Sequence, residues 1–83
     1  MPPPTPAHLG LVIRKAREEK ELSIEALAAK AGISWRYLSR IEGQGKRSAN
    51  PTWNVLGKIA RNLDMEVSEL ARRAEAIAHG KSA

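Results

Sequence analysis

Apolar residues recur at helical spacing along this chain, and nowhere do they alternate. Leu9, Val12, Ile13 and Ala16 fall at i, i+3, i+4 and i+7, with Arg14, Lys15, Arg17 and Glu18 among them. That is the pattern of a helix with one face turned to a core. The spacing returns at Ile24, Leu27, Ala28 and Ala31, then at Leu38 and Ile41. It returns again at Leu56, Ile59, Ala60 and Leu63, and a related stripe runs through Leu70, Ala71, Ala74 and Ile77. No period-two run exists and β-branched residues are scattered. The expected fold is therefore all-α, with five short helices. The 83 residues suffice for one domain around one core. With no cysteine in the chain, neither a disulfide nor a thiolate metal site is available, and packing alone must hold it.

Turn and cap residues divide the stripes. Pro2, Pro3 and Pro4 favour an extended start, so residues 1–5 are expected to form a disordered proline-rich arm. Thr5 is a candidate cap and Pro6 suits the first helical position. The first helix should end near Lys20. Ser23 is the next cap, and Gly32 stops the second helix because glycine enters the left-handed region without steric cost. Ser34 caps a third helix running from Trp35 to about Glu42. Gly43 to Asn50 reads as a loop. Asn50-Pro51 reads as a cap and first-turn proline of the fourth helix. Met65 and Val67 bracket a short link to the fifth. The domain should span residues 6–78, with 79–83 frayed.

Composition narrows the function. Fourteen Lys and Arg against nine Asp and Glu give a net charge of +5, which favours a polyanionic partner. No apolar run approaches the ~20 residues of a membrane span, and the start lacks the basic and apolar regions of a signal peptide. No membrane partner and a cytoplasmic location are expected. His8 and His79 have no carboxylate or cysteine cluster near them in sequence, so no metal is expected. No nucleophile–base pair or phosphate-loop glycine pattern is present. A non-enzyme without a cofactor is the expectation.

The second and third helices carry more specific information. One helix ends at Gly32, Ile33 follows, and Ser34 starts the next, the short connection of a helix-turn-helix. Ala28 must be small, because a larger side chain would push the third helix away. Leu38 and Ile41 anchor that helix inward, leaving Trp35, Arg36, Ser39 and Arg40 facing outward. Residues Ser23-Ile-Glu-Ala-Leu-Ala-Ala-Lys-Ala-Gly-Ile-Ser34, then Tyr37-Leu-Ser-Arg-Ile-Glu42, then Asn50-Pro51, resemble the lambda-repressor/Cro-like (XRE) helix-turn-helix family. The resemblance covers roughly residues 9–71. It implies a compact five-helix fold and operator binding on double-stranded DNA, usually as a symmetric dimer. It also implies no cofactor, and helix three as the recognition helix. This chain departs from the family pattern in three places. Ile24 stands where the family usually has Gln, Glu21 stands where a glycine commonly ends helix one, and the 43–50 loop is longer.

On this reading the DNA-binding residues are Ser34, Trp35, Arg36, Tyr37, Ser39 and Arg40, with Lys46 and Arg47 in the loop. Arginine suits guanine O6/N7 or phosphate. Ser34 caps its helix and can reach a phosphate. Trp35 has two readings: packing on a thymine methyl or the sugar-phosphate wall, or lying flat on the domain's own surface. Tyr37 is expected to be a half-buried support with its hydroxyl near a phosphate, and Trp53 to be core or interface, with DNA contact as the alternative. Ser39 to Glu42 matches a capping box, but at the wrong end of a helix. Glu42 is better placed to pair with Arg17, as an acidic residue there does in the resembled family. The expected function is a transcriptional regulator, a repressor by preference, acting as a homodimer. Leu70, Ala74 and Ile77 suggest helix five as the dimer contact, with helix four as a second candidate, because little domain remains to cover them. Alternatives are an antitoxin with a toxin partner that autoregulates its operon, a restriction–modification controller or phage repressor, and a non-specific nucleoid or RNA binder. Polymerase is a further candidate protein partner.

Overall fold

The computed structural model describes residues 6–43 and 49–80. It contains five α-helices: α1 Pro6–Glu19, α2 Ile24–Ala31, α3 Trp35–Ile41, α4 Trp53–Asn62 and α5 Val67–Ala78. The all-α expectation holds, with no strand among the described residues. Helix α1 packs chiefly on α5 and also touches α3. Helix α2 packs on both α3 and α4. The proline arm, the Thr5 cap and residues 81–83 lie outside the described residues.

Three helix ends share one construction. At the end of α2, Gly32 takes φ 70° and the Ile33 amide donates to the Ala28 carbonyl at 3.0 Å. At the end of α1, Glu21 takes φ 56° and Leu22 donates to Arg17 at 3.1 Å. At the end of α4, Asp64 takes φ 57° and Met65 donates to Ala60 at 2.9 Å. Each is the six-to-one closure of a Schellman motif, followed by an apolar residue. Leu22, Ile33 and Met65 all pack against the core.

Two helix starts lie where the cap residues place them, and one lies two residues later. Ser23 Oγ accepts from the Ala26 amide at 3.0 Å and Ser34 Oγ from Tyr37 at 3.1 Å. Helix α4 is capped by Thr52 instead of Asn50: Thr52 Oγ1 accepts from the Val55 amide at 3.2 Å. Pro51 thus precedes the cap, since Thr52 itself is extended at φ −67°, ψ 160°. Helix α5 begins at Val67 with no side-chain cap bond. The frayed end expected from His79 onward opens with two residues tied to the helix. His79 donates to Glu75 and Gly80 to Ile77, both at 3.0 Å.

The core is built from Leu, Ile, Val and alanine. Ile13, Leu27, Leu38, Ile41, Ile59 and Leu70 are its largest fully buried side chains. Six alanines are buried with them (Ala16, Ala28, Ala31, Ala49, Ala60 and Ala74), and no aromatic ring is. Small side chains let short helices approach closely, in a body 35 × 28 × 22 Å across. Leu70 and Ala74 are not a bare face: α5 turns them into the core and packs on α1. Ala71, placed in the same stripe by sequence, is exposed.

Backbone approaches backbone closely at Gly10. A Cβ there would lie 2.2 Å from the Ile41 carbonyl oxygen and 3.1 Å from backbone atoms of Glu42. Helix α1 therefore rests directly on the last turn of α3, and only glycine permits it.

Candidate nucleic-acid interface

The geometry of α3 follows from its two ends. At the first, Gly32 and Ile33 lock back onto α2 while Ser34 caps α3, so the two helices meet through a fixed turn. At the last, Glu42 is buried and bound to α1. Arg17 Nε donates to Glu42 Oε2 at 2.9 Å, and Arg17 Nη2 donates to Oε1 at 3.1 Å. The remaining guanidinium nitrogen, Nη1, donates to the Leu22 carbonyl at 2.8 Å. One arginine thus joins α1, the α1–α2 turn and the end of α3. The fork matches the carboxylate atom for atom, as a bidentate pair should. The hydrogen bond to Glu42, aided by its charge, raises the Arg17 pKa further above its ordinary value. No buried side-chain polar atom among the described residues lacks a partner.

With both ends fixed, the helix has one buried and one open side. Leu38 and Ile41 are fully buried. Arg36 and Arg40 are exposed, and Trp35 is 48% exposed. Ser39 and Tyr37 are half-buried. Six of the eight expected contact residues, Ser34, Trp35, Arg36, Tyr37, Ser39 and Arg40, therefore lie on one seven-residue helix and its cap. Lys46 and Arg47 lie outside the described residues. The chain on either side of them is placed, however. The Gly43 and Ala49 amides both donate to the Arg40 carbonyl, at 3.1 and 3.0 Å.

Several cations of the other helices are paired. Arg14 pairs with Glu18, Lys20 with Asp64, and Arg72 and Arg73 with Glu69. Glu42, the only carboxylate at the end of α3, is taken by Arg17. Among the described residues neither Arg36 nor Arg40 has a carboxylate partner. Arg36 instead meets an aromatic ring: its guanidinium carbon lies 5.4 Å from the Trp35 ring centroid. The open side of α3 is thus cationic, with donors presented and no internal acceptor competing for them.

Trp53 is not core. It is 77% exposed at the first residue of α4, one turn ahead of Leu56, where the buried stripe begins. The stripe has the right direction for Trp53, but the core does not extend that far. Sequence reasoning also passed over Gly10. A lone glycine inside a helical pattern signals a close backbone approach, and that signal was available between Leu9 and Leu11. Among the described residues there is no cluster of three or more potential metal ligands, and no helix is long and apolar enough to cross a membrane.

Known proteins share this fold. A family model described as a helix-turn-helix domain matches residues 8–74. The HTH-type transcriptional regulator SlrR of Bacillus subtilis is 40% identical over 62 residues, which is 75% of this chain. The chain spans only 40% of the length of SlrR. A solved structure of SinR, the master regulator for biofilm formation, in complex with DNA is 38% identical with a TM-score of 0.66. It covers 75% of this chain and 95% of that one. The restriction-modification controller protein C.AhdI of Aeromonas hydrophila is 31% identical with a TM-score of 0.71, covering 78% of this chain and 94% of that one. The fixed turn between α2 and α3, the buried Arg17–Glu42 link and the family match over residues 8–74 agree: the chain belongs to the helix-turn-helix family, in its lambda-repressor/Cro-like (XRE) branch.

Proposed function

We propose that this chain binds double-stranded DNA sequence-specifically and regulates transcription, as a repressor by preference, with α3 in the major groove. The observation that carries this is the open side of α3: Arg36 and Arg40 exposed without a carboxylate partner, on a helix whose other side and both ends are fixed. Base edges in the major groove distinguish all four base pairs, and arginine pairs bidentately with guanine there. The likeness to regulators, one of them solved with DNA, supports the same reading.

In this mechanism the helix-three side chains have two tasks. Arg36 and Arg40 approach base edges, with Trp35 and Ser39 beside them. Ser34, the Tyr37 hydroxyl, Lys46 and Arg47 hold phosphates and fix register. Two copies related by a two-fold axis read half-sites about one helical turn apart. A single module of this kind buries too little DNA surface for tight specific binding. Selection of bound fragments from random duplex DNA tests the proposal. The expected result is an enriched sequence of two related halves, with binding that weakens steeply as salt rises. Salt-independent binding, or a preference for single strands, would refute it.

A further inference from the structure

Arg36 does not reach into solvent alone. Its guanidinium stands over the indole of the residue before it, 5.4 Å from the ring centroid. Both side chains are exposed, so this contact is not forced by core packing. A cation over an indole face is held by the ring's charge distribution. A guanidinium held by a ring in this way keeps N–H donors available for a second partner. No carboxylate among the described residues draws Arg36 elsewhere.

These facts have a consequence when the fork engages a guanine. The fork must lie near the plane of that base to reach O6 and N7 together. The indole that accompanies it, 5.4 Å from the guanidinium carbon, is then within reach of the adjacent base pair. The apolar group that a major groove offers at that place is the C5-methyl of a pyrimidine. Arg36 and Trp35 thus form a unit that spans one base-pair step.

Resting on the reading of α3 as a major-groove helix, we infer that the Trp35–Arg36 pair recognises a guanine together with the C5-methyl group of a neighbouring pyrimidine. The ligand class is a 5-methylpyrimidine step, thymine or 5-methylcytosine beside guanine, discriminated from its unmethylated counterpart. Trp35 is then a specificity residue in its own right and a positioning residue for Arg36.

The probe is a duplex selected from random DNA by the full chain. The guanine in question is the one whose preference disappears in Arg36→Ala. Each flanking thymine is replaced by deoxyuridine, which lacks only the methyl group, and each flanking cytosine by 5-methylcytosine. Burying one methyl contributes ~0.8 kcal/mol, which is about fourfold in affinity. Wild type should bind the methylated form of one flanking position about fourfold more tightly. Trp35→Ala should bind both forms alike while remaining folded, as its helical circular dichroism checks. Trp35→Phe should restore part of the discrimination. Equal binding of both forms by wild type, retention of the difference in Trp35→Ala, or purines on both sides of that guanine would each overturn the inference. A selected duplex indifferent to methylation overturns this inference alone. Failure to select any duplex overturns the DNA-binding proposal with it.

Discussion

Arg17 and Glu42 stand 25 residues apart in sequence and meet in two parallel hydrogen bonds of 2.9 and 3.1 Å, the carboxylate side chain wholly buried. The pair sits where α1, the α1–α2 turn and the end of α3 converge, so it sets the position of the helix that carries Arg36 and Arg40. Removing one member of a buried pair leaves an uncompensated charge and costs about 3–5 kcal/mol. Glu42→Ala should therefore lower the melting temperature by more than about 10 °C in a domain of this size. Calorimetry checks this, and an unchanged melting temperature would show that the pair contributes nothing. A double variant with apolar residues at both positions should recover much of the loss.

Two helical glycines should respond in opposite directions to the same substitution. Alanine is favoured over glycine inside a helix by about 1 kcal/mol. At Gly57 of α4, an added Cβ meets nothing within 4 Å, so Gly57→Ala should raise stability by up to that amount. At Gly10 the Cβ would sit 2.2 Å from the Ile41 carbonyl oxygen, and backbone must move. Gly10→Ala should destabilise the fold by about 2 kcal/mol or more and displace α3. Urea titration of both variants tests this, and a stable Gly10→Ala would contradict the close approach.

Glu21 and Asp64 hold left-handed positions that glycine would occupy without strain, at φ 56° and 57°. The cost of such a conformation to an ordinary residue is about 1–2 kcal/mol. Glu21→Gly recovers part of that against its extra chain entropy, so a net rise of a few tenths of a kcal/mol, about a degree or two in melting temperature, is expected. A fall would show that Glu21 makes a compensating contact.

Asp64 accepts a hydrogen bond from Lys20 at 2.5 Å, which holds its carboxyl below the usual carboxylate range. A lowered folded-state pKa contributes stability above the unfolded value, near 3.9 as an approximate reference, and loses it as pH falls through the folded value. Asp64→Asn keeps the tolerance for left-handed backbone and removes the charge. The variant should be slightly less stable than wild type at neutral pH. The gap should close in high salt and as the pH drops below the carboxylate range. A gap that persists at low pH would assign it to something other than this ion pair.

How much of this was readable beforehand depends on the kind of signal. The helix stripes were plain because burial repeats every three or four residues, and Ser23, Gly32 and Ser34 act through local backbone geometry that sequence encodes directly. The ends of α1 and α4 use the same closure as α2, but with Glu21 and Asp64 at the left-handed position, so no glycine marked them. Asn50-Pro51 imitated a helix start that Thr52 provides. Ala71 and Trp53 have the spacing of buried residues and yet are exposed, because spacing gives a direction and not the extent of the core. The Leu70 and Ala74 face looked uncovered because its partner, α1, lies sixty residues earlier. Such pairings are tertiary facts that periodicity does not carry. The outward residues of α3 were readable because Leu38 and Ile41 fix which side faces in.

The central claim is that Arg36 and Arg40 read bases, not merely charge. Equilibrium titration of wild type, Arg36→Ala and Arg40→Ala against a selected duplex and a scrambled one, at several salt concentrations, tests it most directly. Lys46→Ala and Arg47→Ala serve as the phosphate-contact comparison. Each helix-three variant should lose about 1–3 kcal/mol on the selected duplex and relax the preference at one base pair per half-site, with a much smaller loss on the scrambled duplex. The loop variants should weaken both duplexes alike and flatten the salt slope by roughly one unit per contact. Equal losses on both duplexes for Arg36→Ala and Arg40→Ala, with the sequence preference intact, would contradict the account.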